Sequence, residues 1–306
     1  MPGAAGPAIG VRVPQYGSTW PEVRDAALRI ERLGFDSVWV NDHLQSPGRV
    51  KRDPTFDALT TLSALAPLTG RVRLGTVVMS ASYRPAPLAA KMATIIDVIS
   101  EGRLILGLGT GSNVAEHRAY DVPFPPRRER TEHLSRTLDT MRAMFAGDPG
   151  APPNVPASPR EGGPPIWLAA HGPRLLRMAG ERADGIVAAF VGPEEAGRRL
   201  TAAMESRPAH LPPLACCLYT FVLPVPSRAE AEAWVAAEAA NLDTSPSAFL
   251  RWLDSTGIVA APDDLRATME AHAAAGVTHA ALVLPSRVPP EVTDALAEAV
   301  LPRRPG

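Results

Sequence analysis

The sequence predicts a (β/α)8 barrel, the TIM-barrel fold of the α/β class, with insertions in its loops. Eight short apolar runs alternate with amphipathic helical patterns, and this alternation is typical of a parallel sheet covered by helices. The 306 residues suit eight such units, since a barrel typically takes about 250 residues plus insertions. A doubly wound open sheet is the alternative. Because no linker or composition break divides the chain, we expect a single domain over residues 1–306.

The predicted strands are short runs of aliphatic and β-branched residues. In chain order they lie at residues 9–13, 37–40, 72–79, 103–108, 166–170, 184–190, 214–222 and 278–284. Apolar residues at helical spacing, often with Pro at the first turn and Gly after the last, predict the helices between them. These lie at residues 20–33, 53–67, 85–100, 129–145, 174–181, 194–205, 228–240, 247–253, 262–275 and 290–300.

Composition narrows the class of protein. A formal net charge of −1 offers no basic excess for nucleic acid, and no apolar run approaches the ~20 residues of a membrane span. The first ten residues lack the pattern of a secretory signal. The two cysteines, Cys216 and Cys217, are neighbours, and bridge geometry is strained at that spacing. We therefore expect reduced thiols, a cytoplasmic protein, and neither a nucleic-acid nor a membrane partner.

Metal chemistry finds little support in the sequence. The seven histidines form no H-x-H or H-E-x-x-H pattern, and no G-x-S-x-G nucleophile elbow occurs. Glu116-His117 and the cluster Arg127-Arg128-Glu129-Arg130 are interpreted as a solvated face and a helix start, although Arg127 or Arg128 could meet an anionic group. We predict no metal site.

The strongest candidate site follows the second predicted strand. Asp42 and His43 stand side by side directly after the strand 37–40. In an αβ-repeating fold that edge carries the chemistry, because the loops there converge on one opening. The alternative is a plain turn in which Asn41-Asp42 bonds its own backbone.

Two further segments end strands with small residues. Gly107, Gly109 and Gly111 lead into Ser112-Asn113, and such glycines let backbone N–H groups approach an anion or a flat ring. The G-x-G-x-x-G fingerprint fails because Ser112 stands where its third glycine belongs, and a tight turn is the alternative.

The other segment is Ala169-Ala170-His171-Gly172, which precedes a helix that begins at Pro173. A helix N-terminus behind small residues can bind an anion, whereas a strand–helix turn is the alternative. Gly75, inside the third strand, indicates a bulge or a close backbone approach.

Taken in order, these segments resemble the luciferase-like monooxygenase superfamily, most of all its branch of oxidoreductases that use the deazaflavin coenzyme F420. The resemblance runs from about residue 9 to residue 190 and weakens through the C-terminal third. The segments that carry it are residues 34–43, 72–78, 102–111, 115–120, 123–127 and 167–172.

The resemblance implies hydride transfer between reduced F420 and a small organic substrate, with the ring in the C-terminal mouth of the barrel. It implies that His43 donates or accepts a proton, and that Asp42 orients His43 or bonds the cofactor. It also implies a non-prolyl cis peptide between Val77 and Val78, and a possible homodimer. The cofactor contacts it implies are Asp42, Thr76, Val77, Val78, Gly109, Thr110, Gly111, Ser112, Asn113, Ala169, Ala170, His171 and Gly172.

One departure from the family pattern concerns the second acid. Relatives commonly carry Trp-Asn-Glu after the third glycine, whereas this chain has Ser112-Asn113-Val114. Proton transfer then rests on His43, a substrate group or water, and sugar-phosphate activity does not carry over. The alternatives are a reduced-flavin monooxygenase that uses FMN, and a relative that binds flavin without turnover. We expect residues 112–126 and 147–165 to shape the pocket.

Overall fold

The computed structural model describes residues 6–46, 53–225, 227–241, 244–256, 258–285 and 288–302. Within these residues the parallel strands close into a barrel in the order β1-β2-β3-β5-β6-β7-β8-β10, because β10 pairs with both β8 and β1. The short β4 continues the position of β3 along β5. The predicted (β/α)8 fold is confirmed, and the doubly wound alternative is wrong because the sheet closes.

The strands are β1 (Ala8–Arg12), β2 (Ser37–Val40), β3 (Arg73–Thr76), β4 (Met79–Ser80), β5 (Leu104–Gly109), β6 (Ile166–Ala169), β7 (Gly185–Ala189), β8 (Ala215–Pro224), β9 (Ile258–Ala260) and β10 (His279–Val283). The helices are α1 (Trp20–Leu33), α2 (Ala58–Leu65), α3 (Ala86–Ile99), α4 (Val114–Ala119), α5 (Arg127–Ala146), α6 (Pro173–Arg182), α7 (Pro193–Met204), α8 (Arg228–Asn241), α9 (Pro246–Thr256), α10 (Pro262–Ala274) and α11 (Pro290–Val300). No helix in the described part of the chain is both long and apolar enough to cross a membrane.

Large and small residues alternate inside the barrel. Trp39 and Trp167 fill the interior with ring centroids 5.7 Å apart. Gly75 makes room for Trp39, since a Cβ there would lie 2.1 Å from the Trp39 ring. Outside the strands, aliphatic side chains form the larger core against the helices. The glycine inside the third predicted strand therefore serves a close packing contact.

The third predicted strand is interrupted. The peptide between Val77 and Val78 is cis, as the family resemblance predicted, and it separates β3 from β4. Neighbouring β5 accommodates this break with glycines: a Cβ at Gly107 would lie 2.2 Å from the carbonyl oxygen of Thr76, and one at Gly109 would lie 2.6 Å from Val78. Packing against the third strand thus requires both glycines.

The start of α2 differs from the prediction. The helix begins at Ala58 rather than near residue 53, because the Asp57 side chain caps it by accepting a hydrogen bond of 2.8 Å from the Thr60 N–H. Upstream of this cap, Thr55 forms an isolated antiparallel bridge with Tyr16. The prediction placed the start at the wrong Asp.

The segment 147–165 lies away from the mouth, so the expectation that it shapes the pocket is wrong. It leads from the end of α5 to the start of β6, and such connections run over the N-terminal face of a barrel. Ser158 donates a 2.6 Å hydrogen bond to Asp97, and the Asn154 amide donates a 2.8 Å hydrogen bond to Thr94. These contacts hold the segment against α3.

The strand β8 is ten residues long and pairs with three strands: β7 contacts residues 215–219, and two further strands follow along the chain. Residues 217–221 pair with β10, and residues 222–224 pair with β9. The sequence did not predict β9, which follows the helices α8 and α9. Together, α8, α9 and β9 form an insertion beside the C-terminal end of the barrel.

Candidate functional site

His43 and Glu116 meet at the C-terminal mouth of the barrel. His43 follows β2 with a side chain 30 % exposed, and its Nδ1 lies 2.9 Å from Oε1 of Glu116. Glu116 sits in the first turn of α4, whose N-cap Asn113 accepts from the N–H groups of Ala115 and Glu116. The Glu116 side chain is fully buried. The short helix therefore delivers a carboxylate to the imidazole.

Tyr83 completes this contact. Its hydroxyl donates to the other oxygen of Glu116. Burial opposes ionisation of Glu116, but the hydrogen bonds with His43 and Tyr83 outweigh it and lower the pKa of Glu116. Because a carboxylate can only accept, Nδ1 of His43 carries the proton in this arrangement, and Nε2 is left for exchange at the mouth.

The interpretation of Glu116 and His117 as a solvated face is wrong. Both are buried, with exposures of 0 % and 1 %. His117 binds Ser82 through Nε2 at 2.8 Å and the carbonyl of Asn113 through Nδ1 at 2.7 Å. The signal that could have located them is the spacing Asn113-Val114-Ala115-Glu116, which matches a capping pattern for a short helix.

Asp42 has a different partner from the one expected. Its buried carboxylate accepts from both terminal nitrogens of Arg84 at 2.8 and 3.0 Å and from the Ser80 N–H at 2.9 Å. Burial raises the pKa of Asp42, while Arg84 opposes this shift. The expectation that Asp42 orients His43 is wrong, because Glu116 makes that contact. Adjacent residues project to different sides here, and Asp42 ties β2 to β4.

The glycine-rich segment lines the mouth next to the third strand. Thr76 is fully buried and donates a 2.8 Å hydrogen bond to the carbonyl of Gly107. Gly111 adopts a φ of +74°, and a Cβ there would lie 2.7 Å from the Ser80 hydroxyl oxygen. Arg130 donates to the Gly111 carbonyl. Thr110, Ser112 and Asn113 continue this loop into α4, so the structure brings the segment beside His117 and Ser82.

The segment Ala169–Gly172 joins β6 to the N-terminus of α6. His171 at this turn is partly exposed, and its Nδ1 lies 3.1 Å from Nη1 of Arg199. A Cβ at Gly172 would lie 3.8 Å from Nη2 of Arg127. Partial burial and these two guanidinium groups lower the pKa of His171. The helix N-terminus and the two cations together suit an anion.

The opposite half of the mouth holds polar residues that the sequence analysis missed. The Tyr219 hydroxyl and the Asn41 side chain are hydrogen-bonded at 3.0 Å, and Gln15 donates to the Asn41 carbonyl at 3.0 Å. Arg12, the last residue of β1, is 8 % exposed, and its Cζ lies 5.3 Å from the Tyr16 ring centroid. The sequence signal for this region was Arg12 itself, a charged residue that ends an otherwise apolar strand.

Metal ligands are not grouped in the described residues. No set of three or more His, Cys, Asp or Glu side chains in that part of the chain is arranged to hold a metal ion.

The sequence is similar to proteins of known family. The model of the luciferase-like monooxygenase family matches residues 5–296. A curated protein of Intrasporangium calvum, named F420-dependent glucose-6-phosphate dehydrogenase, is 35 % identical over 178 residues, which cover 54 % of this chain and 53 % of that protein. The match thus spans about half the length of this relative.

Solved structures share the fold. An F420-dependent secondary alcohol dehydrogenase in complex with an F420-acetone adduct aligns with a TM-score of 0.82 and 16 % identity, covering 97 % of this chain and 98 % of that one. The coenzyme F420 dependent tetrahydromethanopterin reductase of Methanopyrus kandleri aligns with a TM-score of 0.77 and 17 % identity, covering 97 % and 99 %. With the family model matching nearly the whole sequence, the chain belongs to the luciferase-like monooxygenase family.

Proposed function

We propose that this protein is an oxidoreductase that binds coenzyme F420 in the barrel mouth and transfers a hydride between it and a small organic substrate. The observation that carries the proposal is the imidazole of His43, partly exposed at the mouth and held by the buried Glu116. The curated relative named F420-dependent glucose-6-phosphate dehydrogenase supports the choice of cofactor. The substrate of that relative is not part of the proposal.

The residues present fit a flat ring with a phosphate-bearing tail. Val77, Val78, Gly109 and Ala169 offer small or apolar groups on one side of the mouth, and a Cβ at Gly109 would lie only 3.7 Å from Ala169. Next to them, the loop 110–113 and the turn 170–172 offer backbone groups. Arg127 and Arg199 beside the N-terminus of α6 suit the negative tail. Thr76 and Asp42 would support these groups without touching the ring, through their hydrogen bonds to Gly107 and Ser80.

The proposed chemistry divides between the cofactor and the protein. When bound, the deazaflavin supplies or takes up a hydride at carbon. His43 supplies or removes the matching proton through Nε2, since an imidazole nitrogen can act as an acid or as a base. Glu116 fixes the ring orientation through Nδ1. Asp42 and Arg84 hold the Ser80 backbone and so position the third strand.

Titration of the apoprotein with F420 and with FMN tests the proposal. We expect F420 to bind at least about tenfold more tightly than FMN, because the cations beside α6 can serve a longer anionic tail. Tighter binding of FMN would favour the monooxygenase alternative. Bound F420 without hydride transfer to any carbonyl compound or alcohol would favour the non-catalytic relative.

Location and assembly complete the proposal. The free, buried thiols of Cys216 and Cys217 support a reducing compartment, the cytoplasm. Leu88 and Ile99 on α3 are 51 % and 42 % exposed, and exposed apolar side chains on one helix support a homodimer through this side. Light scattering of the purified protein tests the dimer.

A further inference from the structure

Arg12 is a buried cation that no carboxylate of the described residues pairs with. It ends β1 and projects into the barrel, because Gly10 two residues earlier faces Trp39, whose Nε1 would lie 2.6 Å from a Cβ at Gly10. Among the described residues its Nε has no partner, and its one hydrogen bond is a long contact of 3.4 Å from Nη1 to the Val13 carbonyl. Because an unpaired buried charge is costly, this guanidinium is suited to an anionic ligand.

Among the described residues, the groups in direct contact with this guanidinium are neutral. The Tyr16 ring lies under it at 5.3 Å, and the hydrogen-bonded pair Asn41 and Tyr219 lies in the same half of the mouth. The nearby Arg29 is already paired with Asp294. One uncompensated positive charge matches one negative charge, which favours a carboxylate over a phosphate dianion.

An aromatic wall stands beside this charge. We use the term for Phe190, Tyr219, Phe221 and Trp252, all partly exposed. Phe190 lies 5.1 Å from Tyr219 and 5.2 Å from Trp252, and it stacks on Phe221 at 5.6 Å. In register, Tyr219 pairs with Ala281 and Phe221 with Val283 on β10, the strand that separates β8 from β1. Flat apolar groups bind well to such rings.

We propose that Arg12 binds the carboxylate of the substrate while the aromatic wall holds a flat apolar body attached to it. The inference rests on the proposed function and names its substrate class: monocarboxylates with an aromatic or conjugated body. A guanidinium is suited to the task because it offers two parallel N–H donors to the two carboxylate oxygens. A hexose phosphate has neither the single charge nor the flat apolar body.

Calorimetric binding of matched probes tests the inference. The probes are benzoate and cinnamate, their neutral amides benzamide and cinnamamide, and glucose 6-phosphate, each with and without F420. We expect at least one acid to bind the wild type about tenfold or more tightly than its amide. Arg12→Met should abolish this preference and leave amide binding within about twofold, while Arg12→Lys should retain part of it.

A wall variant provides the matched control. Trp252→Leu should weaken the acid and its amide by the same factor, because it removes apolar contact and no charge. Thermal unfolding verifies that each variant folds, and the acid-to-amide ratio of the wild type needs no variant at all.

Three results would each overturn the inference: no binding of either acid, equal binding of acid and amide, or tighter binding of glucose 6-phosphate. The F420 titration of the same samples separates the two proposals. Acid binding through Arg12 in a protein that does not bind F420 would contradict the proposed function and support the carboxylate subsite.

Discussion

The two ends of the barrel use arginines in opposite ways. At the N-terminal end, all five donors of Arg103 are used: Nε donates to Ser100, Nη1 to Thr69 and Val72, and Nη2 to Ala66 and Thr69, at 2.7 to 3.0 Å. At the mouth, Arg12 makes one long contact. A saturated guanidinium fixes loops to strands, whereas an unsaturated one keeps its donors for a ligand.

The histidines repeat this contrast. His279, at the start of β10, lies with its ring 4.8 Å from that of Trp167, and burial together with nearby Arg73 lowers its pKa to about 4. His43, at the mouth, instead has a carboxylate on one nitrogen. Partial burial keeps the first histidine neutral against the Trp167 ring. The pairing of the second leaves a nitrogen that can exchange a proton.

The largest effect is expected at His43. His43→Ala should lower kcat at least about 100-fold, the usual contribution of a general acid or base, and leave the Kd for F420 within about threefold. Deazaflavin absorbance follows turnover, and fluorescence titration follows binding. Wild-type turnover in this variant would remove His43 from the mechanism.

Arg103 should matter for stability and not for ligands. Arg103→Ala leaves several buried carbonyls without donors, so we expect a loss of about 3 kcal/mol in the free energy of unfolding. Urea unfolding measures it. Arg103→Lys is the control and should recover part of the loss. Reduced F420 affinity of the folded variant would contradict the proposal that the N-terminal end serves stability and the mouth serves ligand binding.

His279 should make stability depend on pH. Its pKa is about 4 in the folded protein and about 6.5 when unfolded, so the unfolded state binds more protons between these values. Stability therefore falls as pH drops from 6.5 towards 4, by about 2 kcal/mol after allowance for partial exposure. His279→Gln should flatten this part of the profile, measured by urea unfolding at several pH values. An unchanged slope would contradict the assignment.

The smallest effect separates Glu116 from Tyr83. Glu116→Gln has one acceptor for two donors, so His43 should populate both neutral tautomers and kcat should fall about tenfold. Tyr83→Phe keeps the carboxylate for His43 and should change kcat by no more than about threefold. Nitrogen-15 NMR of His43 reports the tautomer. A larger effect of Tyr83→Phe would shift the proton role towards the phenol.

The strands could be predicted because each is encoded locally. An apolar run such as 104–108 forms a buried strand wherever its neighbours lie. The role of Glu116 could not be predicted in this way, because it depends on a contact with His43, which lies 73 positions away in the sequence. The sequence singled out Asp42 and His43 as a pair, yet only the structure shows that Glu116 contacts His43 whereas Arg84 contacts Asp42.

Two other outcomes show what local patterns lack. The segment 147–165 is irregular and rich in Pro and Gly, which suggested a loop that shapes the pocket. Because it follows a helix and precedes a strand, it lies instead at the N-terminal face of the barrel. Arg12 ends a strand as many surface residues do, and only closure of the barrel through β10 makes that position interior. Topology, more than composition, decided both.

The ten-residue β8 has a consequence for how this protein can diversify. The first part of this strand belongs to the barrel, and its last residues pair with β9. The inserted helices α8 and α9 are therefore attached to a strand that the barrel holds in place. Replacement of residues 228–260 by a shorter or longer segment would therefore change the shape of the barrel mouth and leave the barrel strands in place. This insertion is thus a place in the chain where substrate specificity can change while the fold is kept.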